Sequence, residues 1–264
     1  IYKYHKKSKR YFDIWLFIMS FVIINAMSKE KYNLKIKLPH NVSDIISALN
    51  ETGFEAYAVG GCIRDSILGR DPNDWDITTS AKPHDIKKIF RRTVDTGIEH
   101  GTVTVLIGDD SYEVTTYRTD GEYLDARHPS SVEFVSSLTE DLRRRDFTIN
   151  AMAYNEEEGL KDPFGGYEDL NAGLIRCVGN AFERLTEDAL RILRAVRFSA
   201  QLSFDIDDDT KTAIKSLAQR LGMISAERIC TELIKLITSD HPEYIRTAYE
   251  LGMTKVFLPE FDRM

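Results

Sequence analysis

The chain has 264 residues, of which 42% are hydrophobic and 29% charged, with a formal net charge of −7. That composition suits a globular protein of one large domain or two small ones. Three widely spaced cysteines (Cys62, Cys177 and Cys230) without a Cys-x-x-Cys, and six scattered histidines, exclude a disulfide scaffold and a zinc site of ordinary spacing.

In chain order, the basic stretch KYHKKSKR precedes an apolar run, Tyr11 to Met27. That pattern is shared with signal peptides and membrane anchors. The run is short for a spanning helix, contains Asp13 and lacks a small-x-small cleavage site. Residues 1–38 are therefore read as an N-terminal extension, with 1–26 as upstream sequence foreign to the native protein and no stable membrane association expected.

NVSDIISALNETG reads as a helix, with Ser43 as its cap, Ile45, Ile46 and Leu49 on one side and Gly53 at its end. EAYAVGG reads as a buried strand stopping at Gly60–Gly61. CIRDSILG follows as a short helix, DWDITTS as a second strand and KPHDIKKIF as a helix. GTVTVLIG and SYEVTTYR read as a hairpin around Asp109–Asp110. A polar stretch, TDGEYLDARHPSS, leads to a strand-like VEFVSS, and RRRDFTIN enters an apolar strand. From Ala181 onward the pattern is helical, beginning with the strongly periodic ERLTEDALRILRAVRFSAQ. The order predicts an α/β unit over 39–180, then an all-α unit over 181–264 that stops abruptly and reads as truncated.

Five stretches carry chemistry. The Gly60–Gly61 turn into a helix exposes backbone amides, a possible phosphate cradle or simply a tight turn, and Arg64 adds a bidentate donor. Asp74 and Asp76, two apart, share one face of a strand and repel unless a divalent cation sits between them; a solvated loop is the plainer alternative. Glu113 offers a third carboxylate, with Glu113, Thr115 and Tyr117 on one face of their strand. Arg143 to Arg145 form either a solvated face or a phosphate contact.

In EDALRILRAVR, Asp188 and Arg191 are helical neighbours at i, i+3, and Arg194 and Arg197 continue the stripe; an ordinary Glu187–Arg191 pair is the alternative. An aspartate accepts from the amino groups of cytosine and adenine and repels the carbonyls of uracil and guanine. An arginine beside it donates to the ring nitrogen that lacks a hydrogen in C and A. One such pair admits C and A without a nucleic-acid template.

AVGGCIRDSILGRDPNDWDITT, YEVTTYR, RRRDFTINAMAYN, DPFGGYEDL, ERLTEDALRILRAVRF and ISAERICTELIKLI, in this order, resemble the motifs of class II tRNA nucleotidyltransferases, the CCA-adding enzymes, and of the bacterial poly(A) polymerases that share their fold. The resemblance implies an α+β fold: a DNA polymerase β-like nucleotidyltransferase head, then an all-α neck and partial RNA-binding body. It implies Asp74, Asp76 and Glu113 as catalytic carboxylates, with Mg²⁺ on Asp74 and Asp76. Gly61, Arg64 and Arg145 would hold the nucleotide's phosphates, Asp188 and Arg191 would read the base, and Arg194 and Arg197 would support the nucleotide. The stretch from Arg118 to Ser131 corresponds to the family's flexible loop and favours A addition as well as C addition. DPFGGYEDL corresponds to a hinge, and the SAERI helix to a structural element.

The expected activity is cytoplasmic, Mg²⁺-dependent addition of C, C and A to the tRNA 3′ end from CTP and ATP, releasing pyrophosphate. The alternatives are poly(A) or single-A addition to RNA ends and, from another class, a non-catalytic RNA-binding remnant.

Overall fold

A computed structural model describes residue 32 and residues 34–121 and 132–263. The N-terminal reading over 1–26 and most of the expected loop from Arg118 to Ser131 lie outside the described residues.

The first helix, α1 (His40–Glu51), begins four residues earlier than the Ser43 cap predicts, after Pro39, and has no side-chain cap. Pro39 accepts the amide of Ser43 through its carbonyl, so Ser43 lies inside the first turn. Val42, Ile45, Ile46 and Leu49 are buried, the one-sided apolar stripe that a helix on a sheet requires. The continuous apolar run of β1 (Ala56–Val59) is buried throughout and turns into α2 (Gly61–Ile67). Then come β2 (Ile77–Thr79), α3 (Pro83–Ile89), β3 (Thr93–Gly97), β4 (Thr102–Ile107) and β5 (Asp110–Thr116). β6 (Arg118–Asp120) and β7 (Val132–Phe134) pair antiparallel, so the two ends of the polar stretch lie side by side.

After α4 (Leu138–Arg143), β8 (Ala153–Asn155) and β9 (Gly159–Lys161) complete a mixed seven-stranded sheet of order β3-β4-β5-β2-β1-β8-β9. The apolar residues after Asp146 do not continue as a strand: Thr148–Asn150 form a 3-10 turn, because Asp146 accepts the backbone amide of Phe147 and the side-chain Nδ2 of Asn150 and bends the chain there. DWDITTS is strand only over its last part, so Asp74 and Asp76 sit on the irregular segment leading into β2.

α5 (Gly166–Ala172) and β10 (Leu174–Ile175) lead to the helical part: α6 (Ala181–Glu187), α7 (Leu190–Leu202), β11 (Asp205–Ile206), α8 (Asp208–Leu217), α9 (Ala226–Ile237), α10 (Ile245–Glu250) and α11 (Thr254–Phe257). β11 interrupts the expected all-helical run and pairs in parallel with β10. Arg176 bonds Asp207 at 2.8 Å, and one apolar core runs through both parts. Gly166 is fixed by this packing, since a Cβ there would lie 2.2 Å from the Thr148 carbonyl oxygen. Among the described residues, no helix is long and apolar enough to cross a membrane.

Candidate active site

β2 and β5 run parallel with Ile77 opposite Val114, and both side chains are buried. Strand alternation therefore sends Glu113 to the other face of β5, and both Glu113 and Asp76, the residue entering β2, are exposed. Asp74, Trp75, Asp76, Tyr112 and Glu113 line one cleft of about 650 Å³. Tyr117 does not share this open face: it lies past the end of β5 and is fully buried. The amide of Val59 donates to the Asp76 carbonyl at 3.0 Å, tying the acidic segment to the end of β1.

Asp76 opens to the cleft on one side and is crowded by protein on the other. That desolvation raises its pKa, Arg145 lowers it and Asp74 raises it again. Among the described residues, no three His, Cys, Asp or Glu side chains stand close enough to enclose a metal by themselves. A pair of hard carboxylate oxygens with space for phosphate is nonetheless the donor set Mg²⁺ uses, since it takes one or two carboxylates and completes its shell with phosphate and water. The residues present fit a divalent cation shared with a nucleotide.

The Gly60–Gly61 turn directly follows Val59, whose amide holds the Asp76 carbonyl. Gly60 adopts φ 85° and ψ −129°, a backbone region reserved for glycine. A Cβ on Gly60 would lie 2.8 Å from Nη1 of Arg145, whereas one on Gly61 would meet only ordinary contacts with Arg64. Arg145 has its Nε buried without a hydrogen-bond partner, and its Asp141 contact is long, 3.9 Å from Nη2 to Oδ2. Arg64 differs: its Nε and Nη2 donate to Asp65 at 2.8 and 2.9 Å, and its Nη1 donates to Asn150 at 2.6 Å. The fork expected for a phosphate is engaged within the protein.

The stretch around Asp188 departs from the expected geometry. The helix breaks between α6 and α7, and Asp188 lies in the break rather than on a helical face. Its Oδ1 accepts the amide of Leu190 at 3.0 Å, so the carboxylate satisfies the exposed amide at the start of α7 instead of extending α6. Arg191 bonds Glu187 at 2.6 Å and the carbonyls of Arg184 and Arg144 at 2.9 and 3.1 Å. The Glu187–Arg191 pair is therefore the one that forms, and the direct Asp188–Arg191 helical pairing is corrected. The two residues remain linked through the backbone, where the Arg191 amide donates to the Asp188 carbonyl.

Arg194 and Arg197 are also held. Arg194 donates twice to Asp146, at 2.9 and 2.6 Å. Arg197 bonds Glu232 at 2.8 Å and Gln201 at 2.8 Å. The guanidiniums of Arg64, Arg194 and Arg197 lie 5.0, 5.2 and 3.5 Å from the Phe198 ring centroid. Burial alone would raise the Asp146 pKa, but the Arg194 charge and the Asn150 hydrogen bond hold it well below the ordinary carboxylate range. Asp141, Asp146, Asn150 and Glu232 organise these arginines. Nothing in their local spacing marks them, because each acts on a partner brought in by the fold; the acidic end of RRRD was the one visible hint.

The model of the Poly A polymerase head domain matches residues 56–176, and that of the probable RNA and SrmB-binding site of polymerase A matches residues 203–264. The chain is 53% identical over 199 residues to the CCA-adding enzyme of Oceanobacillus iheyensis, covering 75% of this chain and 50% of that protein. It is 52% identical to that of Ligilactobacillus salivarius over 75% of this chain and 49% of the relative. The structure is similar to the Bacillus stearothermophilus CCA-adding enzyme in complex with CTP, with a TM-score of 0.76 and 44% identity, covering 83% of this chain and 53% of that one. It is also similar to the Thermotoga maritima CCA-adding enzyme complexed with tRNA, with a TM-score of 0.70 and 28% identity, covering 83% and 52%. The chain spans about half the length of the curated relatives it matches. The two domain matches, the identity to CCA-adding enzymes and the shared α+β, DNA polymerase β-like head together show that the chain belongs to the nucleotidyltransferase family of CCA-adding enzymes and bacterial poly(A) polymerases.

Proposed function

We propose that this chain carries the catalytic head of an enzyme that adds C, C and A, without a template, to the 3′ end of tRNA, using CTP and ATP. The observation that supports this most is the single cleft lined by Asp74, Asp76 and Glu113, beside Arg145 with its unpartnered Nε. Residues 39–180 act as the head and 181–264 as the neck and the start of the RNA-binding body. A cytoplasmic location is part of this proposal.

CCA-adding enzymes are nucleotidyltransferases that generally use divalent metal ions; Mg²⁺ suits the all-oxygen donors, and Asp74 and Asp76 would hold it. When bound, it neutralises phosphate charge and favours ionisation of the attacking hydroxyl. Arg145 and the Gly61 amide receive the phosphates, with Arg64 bracing the turn through Asp65 and Asn150. Asp188 accepts from the amino group of C or A, and Arg191 donates to the ring nitrogen. Arg194 and Arg197 support the nucleotide from behind, through Asp146 and Glu232. The terminal tRNA hydroxyl oxygen bonds the α-phosphorus as the α–β bridging bond breaks. Pyrophosphate leaves, and the hydroxyl proton passes to the Asp74, Asp76 and Glu113 group.

The poly(A) polymerase head match supports a second reading, A addition to RNA ends. Single-nucleotide incorporation on tRNA lacking CCA, tRNA ending in CC, and an unrelated RNA separates them. C on the first and A on the second, both lost in Asp76→Ala, is the expected result. A on every RNA would identify poly(A) addition. No incorporation with RNA binding intact in Asp76→Ala would favour a non-catalytic RNA-binding protein.

A further inference from the structure

We propose that Arg228 is a positioning residue for Asp188, fixing the carboxylate that distinguishes C and A from U and G; this rests on the base-reading role given to Asp188 above. Arg228 lies on α9, in the SAERI stretch that the sequence reading treats as structural. Its Nη2 donates to Asp188 Oδ2 at 3.1 Å, across 40 residues of sequence. Both side chains are largely shielded, at 23% and 18% exposure.

The arrangement is specific. Asp188 Oδ1 is committed to the amide of Leu190, and Oδ2 meets Arg228. A carboxylate oxygen has two lone-pair directions, so each can still accept one further hydrogen. Held at both oxygens, the carboxylate plane cannot rotate, and the remaining lone pairs point in fixed directions. A freely rotating carboxylate would meet an amino group and a carbonyl with less contrast. Arg228 also lacks another anchor among the described residues: its Nη1 is buried without a hydrogen-bond partner. The neighbouring arginines differ, since Arg191 and Arg197 each bind two or more acceptors. A shielded guanidinium with one carboxylate partner is placed for that partner.

The test measures dissociation constants of CTP, ATP, UTP and GTP, with Mg²⁺, on the full chain. It compares wild type with Arg228→Met, Arg228→Lys, Asp188→Ala and the Asp188→Ala/Arg228→Met pair. Arg228→Met keeps the apolar stem and is expected to reduce the CTP-over-UTP and ATP-over-GTP ratios by about tenfold, with Arg228→Lys in between. In the Asp188→Ala background, Arg228→Met should change the ratios no further. If Arg228→Met fails to fold, Arg228→Lys carries the test: a lowered ratio supports the proposal and an unchanged one overturns it. Equal weakening of all four nucleotides in the Arg228 variants means a merely structural role. If Asp188→Ala lowers the ratios and Arg228→Met does not, only the positioning role falls. If Asp188→Ala leaves them unchanged, the base-reading role falls and the proposal with it.

Discussion

Arg145 and Gly60 are packed so closely that a Cβ on Gly60 would lie 2.8 Å from Nη1 of Arg145. The contact places a guanidinium with a spare donor against the turn that leads into α2, beside the acidic cleft. It also explains which of the two adjacent glycines the architecture requires.

Gly60→Ala is expected to be damaging on two counts. The left-handed backbone would cost about 1–3 kcal/mol, and Arg145 would be pushed away from the cleft. Melting temperature and nucleotide affinity should fall together. Gly61→Ala meets only ordinary contacts and should melt like wild type, with any loss confined to nucleotide binding. Equal melting temperatures for the two variants would contradict this account.

Asp76→Asn should separate activity from stability. Burial, with a smaller contribution from Asp74, disfavours the charged form of Asp76 more than Arg145 favours it, so removing that charge should leave the metal-free protein as stable as wild type or more so. Incorporation should be lost, and chelation of divalent ions should abolish it in wild type. Thermal melts in EDTA beside incorporation assays with Mg²⁺ read both halves.

The Asp146–Arg194 pair gives a signed pH dependence. The folded pKa of Asp146 is depressed, so its contribution is fully present above the unfolded value of about 4 and is lost as pH falls through the lower folded value. Asp146→Asn should cost about 2–3 kcal/mol at pH 7, from a shielded charge-assisted contact. The variant should lose less stability than wild type on acidification below about pH 4. Urea unfolding at a series of pH values tests it; parallel curves would refute it.

The cysteines should differ sharply in reactivity. Cys62 and Cys177 are buried, and desolvation pushes both thiols up to about 12. Cys230 is exposed on α9. A thiol reagent at about pH 8 should titrate one cysteine quickly in the native protein and all three in denaturant. Rapid modification of Cys177 would show that α8 opens readily.

Much of this was readable from local sequence. AYAV is apolar without interruption and forms the buried β1; Gly60–Gly61 marks its end. Residue type and order single out Asp74, Asp76 and Glu113 as candidate carboxylates, and the fold gathers them in one cleft. β3 was missed because TVDTG is an edge strand with both faces largely solvated, so it carries no alternation. The helix break at Asp188 was missed because the periodicity of α6 continues into α7; the Leu190 amide contact becomes visible only when the chain has turned.

The sequence by itself determined most of the element types, the order of the acidic and glycine motifs and a strand-and-helix unit followed by a largely helical one. These depend on residue periodicity, turn residues and near-neighbour spacing, all local properties. The tertiary structure decided which charges meet. Arg194 finds Asp146 across 48 residues and Arg228 finds Asp188 across 40. Local spacing gives Arg194 and Arg197 a shared stripe and leaves both partners unnamed. A buried guanidinium needs a counter-charge, and which carboxylate supplies it depends on elements that packing alone brings together.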